Sequence, residues 1–406
     1  MAERHDEAST DAQSNREAMP FIMAGVPAAN RSLYHSVRFA VGDPAALIVD
    51  RDGRRSFIVR DIEMERARSA ARADEVYCPA DFAPDGGLSG DRETATAQAA
   101  AQCCRRLGVM SIRADRTLPL SFHHELQAAG VEVVYDPELG VIERRAKDDQ
   151  EIAALAKAQS DTEAIVRRVC EIIAEAKPNG GGVLQWSASG TLGDGESGDL
   201  TAERLRRYID VQLLRLGYDN PHGSIVAAGV EGGDCHNRGA GSIRTGEAVI
   251  IDVFPRSKET LYHGDCTRTV VNGEPPSRIR EMHEAVVEAK AAATAAVAVG
   301  ASGETIQRAT AGVIASHGFP MGLPPSDVPD GFVSMPHGTG HGIGLDVHEP
   351  PLLDNGGPPL IAGDAITIEP GLYGPRIGGV RVEDLVVVTT DGALSLSSLP
   401  EGLDWA

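Results

Sequence analysis

Two stretches of this 406-residue chain repeat one phrase, Gly246-Glu-Ala-Val-Ile-Ile-Asp252 and Gly363-Asp-Ala-Ile-Thr-Ile-Glu369. Each is a short apolar run of strand type ending in a carboxylate. Each is followed, after a comparable gap, by a second acid in another strand-like run, Asp265 and Glu383. Between the copies lies His337-Gly-Thr-Gly-His341-Gly-Ile-Gly-Leu-Asp-Val-His348, which holds three of the 12 histidines. Strand residues two apart share a face, so Thr367 and Glu369 point away from Ile366 and Ile368, and Arg381 and Glu383 away from Val380 and Val382. The acids interrupt a pattern that otherwise builds core, and a buried carboxylate without a cation is costly. Four carboxylates with one or more histidines form the donor set of a two-metal site. Such oxygen-rich ligation suits Mn²⁺, Co²⁺, Fe²⁺ or Zn²⁺ without selecting among them.

Taken singly, each residue has a plainer reading. Asp252 is a strand-end acid, His337 and His341 are loop histidines among glycines, and Glu369-Pro-Gly is a strand running into a turn. Their coincidence at repeated spacing favours the metal reading. Competing motifs fail locally. The prolines in His348-Glu-Pro-Pro block the helical turn of a zincin site, and the glycines from Gly338 to Gly344 lack dinucleotide-binding spacing. No P-loop and no G-x-S-x-G elbow is present. The glycines instead suit close passage of backbone beside a metal or substrate.

The elements that must position these residues fall into two domains. Residues 1–18 are polar and charged and read as a loose tail. Over residues 19–145, apolar runs such as Ala45 to Val49 alternate with helical patterns such as Ala97 to Leu107, as in an α/β domain. The charged segment from Glu143 to Glu151 then opens a long helix with Ile152, Leu155, Ile165, Val166, Val169, Ile172 and Ile173 as its apolar stripe. Pro178 and the glycines after it end that helix, and residues 187–199 read as a Gly/Ser/Asp-rich mobile rim. Within residues 146–406, a helix carrying Leu205, Ile209, Leu213 and Leu216 precedes the first strand set. Helices over 279–298 and 304–317, the latter stopped by Gly318, precede the second. Helices outside and strands inside, twice, predict a curved sheet with a pseudo-twofold axis, the acids meeting where the halves join.

A formal charge of −21 argues against nucleic acid and anionic membrane as partners, because polyanions reward clustered cations. No apolar run approaches a membrane span, and no cationic-then-apolar leader is visible, so the chain reads as cytoplasmic. Six cysteines without disulfide or zinc spacing read as reduced thiols, with Cys235 and Cys266 beside motif residues.

The order His236, Asp252, Asp265, His341, Glu369, Glu383, with the His-Gly-Thr-Gly-His segment, Thr-Ile-Glu-Pro-Gly-Leu-Tyr and Gly-Val-Arg-Val-Glu-Asp, resembles the pita-bread (M24) metallopeptidases. That clan includes methionine aminopeptidase, aminopeptidase P and prolidase. The resemblance is specific over roughly residues 145–395, while residues 19–140 are similar to the creatinase-type N-terminal domain of the Xaa-Pro peptidases. It implies an α/β pita-bread fold and two divalent ions, with Asp265 and Glu383 bridging them, Asp252 chelating one, and His341 with Glu369 completing the other. It further implies that a bridging water attacks the scissile carbonyl as hydroxide while Glu369 shuttles its proton. His348 and His236 would contact substrate and oxyanion; His337 and Arg381 would act directly or as support. The implied substrate is a short peptide with proline second, cut as a dipeptide or from the N-terminus of longer peptides, and the implied assembly is a homodimer. The alternatives are a creatinase-like or other pita-bread hydrolase of a non-proline substrate and a non-catalytic binding protein. One departure stands out: the stretch from Asp252 to Asp265 is longer than the family's usual hairpin and carries Pro255 and Arg256. The segment Asp-Cys-His236-Asn also replaces the usual Pro-His.

Overall fold

The structure, a computed structural model, describes residues 19–186 and 197–405. The expected N-terminal tail and most of the expected rim loop lie outside those residues. The chain divides into two compact units, Met1–Arg144 and Arg145–Ala406.

In the first unit, β1 (Phe21–Gly25), β2 (Ala45–Val49), β3 (Arg55–Ile58), β4 (Glu75–Tyr77), β5 (Ser111–Ala114) and β6 (Glu132–Tyr135) form a mixed sheet ordered β4-β3-β2-β1-β5-β6. All five residues of β2 are buried, which requires cover on both faces. Ile22, Ala46 and Ile48 pack with the helix Arg92–Arg106 and Phe122. Met23, Leu47 and Phe57 pack with Leu33 and Val37 on the other side. The helix Arg92–Arg106 begins before the apolar pattern does, because Asp91 caps it by accepting from the Thr94 amide.

The second unit opens with the 27-residue helix Asp149–Glu175. The charged segment before it is a capping box: Asp148 accepts from the Glu151 amide, and Glu151 accepts from the Asp148 amide. The predicted stripe is buried from Leu155 to Ile173, while Ile152 is half-buried. Ala176 ends the helix two residues before Pro178. In the helix Ala202–Arg215, Leu205, Ile209 and Leu213 are buried; Leu216 is not part of that stripe, since it lies past the helix end and is 50% exposed. The helices Ser277–Ala295 and Gly303–Ser316 complete the cover, and Gly318 follows the second at φ +79°, where a side chain would be strained. Among the described residues no helix is long and apolar enough to cross a membrane.

Strands β7 (Lys177–Pro178), β8 (Leu184–Trp186) and β9 (Gly198–Asp199) make a small sheet, and β10 (Tyr218–Asp219) pairs with β13 (Arg256–Ser257). The site is built by two antiparallel sheets. One contains β11 (Ile225–Ala228), β12 (Ala248–Val253) and β14 (Cys266–Val271). The other contains β15 (Gly340–Gly342), β16 (Glu349–Leu353), β17 (Ala365–Ile368), β20 (Asp384–Thr389) and β21 (Gly392–Ser395). The hairpin of β18 (Gly371–Gly374) and β19 (Gly378–Arg381) stands beside them. The predicted curved sheet is therefore two hydrogen-bonded halves with a side-chain and loop seam. The Glu383 amide donates to the Thr267 carbonyl at 3.1 Å, and Thr269 Oγ1 accepts from the Arg381 amide at 3.1 Å.

The structure corrects the placement of two acids. The run Val380 to Asp384 is not one strand: β19 pairs with β18, β20 pairs with β17, and Glu383 occupies the break. Asp265 likewise stands one residue before β14, rather than within a strand. An alternating sequence pattern cannot show where a chain changes pairing partner, because that is decided by distant strands.

Candidate metal centre

The strand ends converge on a cavity of about 300 Å³ in the second unit. Asp252, Asp265, His341, Glu369, Glu383, His236, His337, His348 and Arg381 all line it, so the ligand and catalytic candidates named from the sequence meet here. Asp265, His341 and Glu383 are buried and offer ligand atoms within 4.8 Å of one another. Asp252 is buried at the end of β12, and Glu369 follows β17 with its amide bonded to the Thr339 carbonyl at 2.8 Å. The glycines of the histidine segment permit close backbone passage. A Cβ on Gly340 would stand 2.0 Å from the Thr367 carbonyl oxygen, and one on Gly342 2.3 Å from that of Pro350.

The electrostatics show a deficit of positive charge. Arg381 is the only arginine or lysine among the described residues lining the cavity, against the carboxylates of Asp252, Asp265, Glu369 and Glu383, with that of Asp354 also on the lining. Its guanidinium contacts Asp252 Oδ2 at 2.6 Å, the Tyr373 hydroxyl at 2.9 Å and Thr267 Oγ1 at 3.2 Å. Asp252 Oδ1, also buried, has no hydrogen-bond partner. Burial and then the charges of Glu383 and Asp252 push the Asp265 carboxyl well above its usual range. Burial, Glu369 and Asp252 do the same to Glu383. His341 Nδ1 lies 3.1 Å from the Gly342 carbonyl and must donate to it, while Nε2 faces Glu369 Oε1 at 3.2 Å and Asp265 Oδ2 at 3.9 Å. Burial disfavours a charge on His341, but Glu369 outweighs it and raises the imidazole pKa. In return, and against burial, His341 holds Glu369 down to about 2. The site thus takes up protons where cations would serve. A set of hard oxygen donors with one imidazole, orphaned at Asp252 Oδ1, fits divalent ions.

The histidines divide by environment. His337 uses both nitrogens: Nδ1 donates to the Gly338 carbonyl at 2.7 Å, and Nε2 accepts from the Tyr373 hydroxyl at 3.0 Å. Burial lowers its pKa, in keeping with that neutral tautomer. His348 is exposed, with its ring edge-on to His341 at 4.3 Å between centroids. His236 is exposed, its amide anchored on Asp234 Oδ1 at 3.0 Å.

Several supporting residues escaped sequence reasoning. Thr267 Oγ1 donates to Glu383 Oε2 at 2.8 Å, Gln159 Oε1 accepts from the Asp265 amide at 2.9 Å, and Tyr373 links His337 to Arg381. Thr267 was within reach of the alternation rule, two residues beyond Asp265. Gln159 carried a weaker signal, as a polar side chain on the apolar face of a helix. Tyr373 closes the quoted Thr-Ile-Glu-Pro-Gly-Leu-Tyr phrase.

Antiparallel sheets under helical cover, with acids and an imidazole clustered at strand ends, define a metallohydrolase type of architecture. The chain belongs to metallopeptidase family M24, whose sequence profile matches residues 153–390. It is 31% identical over 262 residues to a probable dipeptidase, PepE, of Mycobacterium tuberculosis, covering 64% of this chain and 60% of that protein's length. The chain thus spans less than two thirds of that relative. It is 35% identical over 156 residues to the Xaa-Pro dipeptidase of Pyrococcus furiosus, covering 38% of this chain and 41% of the relative. In fold it is similar to a Bacillus anthracis Xaa-Pro dipeptidase structure, with a TM-score of 0.75, 24% identity and 96% of each chain covered. The fold is accordingly the pita-bread α/β fold.

Proposed function

We propose that this protein is a metal-dependent exopeptidase that hydrolyses the bond before a proline in second position. The observation that carries the catalytic reading is the unmet charge of the buried cluster, with Asp252 Oδ1 orphaned and His341 Nε2 turned to two carboxylates. The proline reading rests on the names of relatives such as the Pyrococcus furiosus Xaa-Pro dipeptidase. Asp252, Asp265, His341, Glu369 and Glu383 would hold two divalent ions. When bound, these supply Lewis acidity that makes water nucleophilic near neutral pH and polarises a carbonyl.

The chain's own residues do the rest. Glu369, ionised and fixed by Thr367 Oγ1 at 3.1 Å, accepts a proton from the attacking water and returns it to the departing nitrogen. That return matters for a tertiary amide, whose nitrogen leaves as a secondary amine. His348 and His236, on the exposed side of the cavity, present imidazoles to the substrate and to the developing oxyanion. Arg381 holds Asp252 in place, and His337 orients Tyr373, so both act as positioning residues. We favour the broader Xaa-Pro aminopeptidase reading because the first unit is substantial, with the dipeptidase as its rival because two relatives carry that name. The free cysteines, buried in four of six cases, accord with a reducing cytoplasm. A homodimer completes the proposal and is read by light scattering.

The deciding assay offers Ala-Pro, Ala-Pro-Ala and Ala-Ala-Ala to metal-stripped protein with Mn²⁺, Co²⁺ or Zn²⁺ restored. Cleavage of both proline peptides supports the proposal, and cleavage of Ala-Pro alone selects the dipeptidase. No metal-dependent cleavage of any peptide rejects the peptidase.

A further inference from the structure

The hairpin between Asp252 and Asp265 builds a wall of the cavity. Phe254 is two residues beyond Asp252, on the same face of the chain, and its half-buried ring lines the cavity beside the acids. It is the only phenylalanine, tyrosine or tryptophan among the described lining residues; Ile225, Val347 and Leu352 supply the other aliphatic surface. Ile225 is paired with Asp252 across β11 and β12, so this apolar surface begins directly against the acid cluster.

The hairpin is fastened in a way that a loose loop would not be. Pro255 restricts Phe254 to extended backbone. The Pro255 carbonyl accepts from the Gly264 amide at 3.1 Å, and Arg256 bridges to His263 across the hairpin. Beyond it, β13 pairs with β10, and Arg256 and Lys258 reach Asp219 at 3.2 and 3.4 Å. On the open side, the exposed His222 ring stands against Phe254 at 6.5 Å between centroids, tilted by 36°. Phe254 is therefore a fixed apolar surface, bounded by the acids on one side and an imidazole on the other.

An exopeptidase presents the carbonyl of the substrate's N-terminal residue to the acid cluster that would hold the ions, and Phe254, two residues beyond Asp252, lines the cavity beside that cluster. The side chain of the N-terminal residue then lies beside the ring. We infer that Phe254 is a specificity-determining residue, its ring forming the wall against which an aliphatic side chain of the substrate's N-terminal residue packs. The inference rests on the peptidase reading but not on proline in second position.

The test measures binding of glycine hydroxamate and leucine hydroxamate to metal-loaded protein by calorimetry, beside kcat/KM for Gly-Pro, Leu-Pro, Gly-Ala and Leu-Ala. The wild type should favour leucine over glycine by about tenfold, the scale of a filled aliphatic pocket. Phe254→Ala should bring that ratio within about twofold at unchanged metal stoichiometry, and Phe254→Trp, by filling the space, should lower it as well. An unaltered leucine-to-glycine ratio in either folded variant overturns the inference. Cleavage of the alanine series without the proline series rejects proline specificity and leaves the Phe254 ratio intact as a readout. If no dipeptide is cleaved, the peptidase reading fails, and the hydroxamate ratio still decides for or against the wall.

Discussion

Asp136 in the first unit and Asp265 in the second are both buried aspartates one residue outside a strand, 8% and 3% exposed. Asp136 has a cation from the chain: Arg113 Nη1 lies 2.8 Å from its Oδ2, and the Glu138 amide donates to Oδ1 at 3.0 Å. Asp265 has the Gln159 contact only at its backbone amide, while its carboxylate faces Glu383 and Asp252, with no lysine or arginine among the described residues bonded to it and the His341 imidazole 3.9 Å away and turned to Glu369 as well. One acid is closed within the fold and the other is left open. Burial alone therefore does not mark a functional acid; burial without a counter-charge from the chain does.

The largest expected effect breaks this comparison at the open end. Asp265→Ala or Glu383→Ala should lower kcat/KM by more than the roughly 100-fold that losing a ligand's supporting partner costs, with the circular dichroism of a folded protein retained. Thr267→Val removes the hydroxyl that donates to Glu383 and accepts from Arg381 Nε, and should cost about 10–100-fold in metal affinity, read by metal titration. At the closed end, Asp136→Ala removes the carboxylate that faces Arg113. It should destabilise the first unit by about 3 kcal/mol in denaturant unfolding, the low end for buried pairs because each side chain keeps 11% exposure. Its turnover should match the wild type. If Asp136→Ala and Asp265→Ala instead had the same stability and turnover profile, the distinction between closed and open acids would fall.

Much of the open end was legible in the chain. The doubled apolar runs became β12 and β17, and the histidine segment became a strand and loop against the same cavity. Local alternation and spacing were enough for that, since each signal lies within a few residues. What stayed hidden was long-range. Nothing near Val382 shows that the chain leaves one hairpin there and joins another sheet. The two-residue pairing of β13 with β10 is too short to have a period. Nor could neutral helpers be told from ordinary polar residues: Gln159, buried in the helix Asp149–Glu175, shows its use only when the Asp265 amide is seen beside it. The closed acid was hidden for the same reason. Arg113 and Asp136 lie on neighbouring strand ends, and their pairing follows from the parallel register of β5 and β6.

The finest test of the comparison is the sign of its pH dependence in metal-free protein. Burial works to raise the Asp136 pKa, but Arg113 and the Glu138 amide outweigh it, so its carboxyl is held below the usual range. Its contribution to stability is present above the unfolded value of about 3.9 and is lost as pH falls through the folded value. Asp265 is raised, by burial and then by Glu383, so its contribution has the reverse sense. It is fully present below the unfolded value and is lost as pH rises through the elevated folded one. Replacing each by asparagine isolates the two terms. Toward neutral pH, Asp265→Asn should melt higher than the metal-free wild type by a few °C, a gain of about 1 kcal/mol in a chain of this size, and the gap should close as pH falls. Asp136→Asn should melt below the wild type at neutral pH, and that gap should close only in acid. Restoring divalent ions should reverse the first difference and leave the second untouched, because only the open acid lacks its cation in the bare chain.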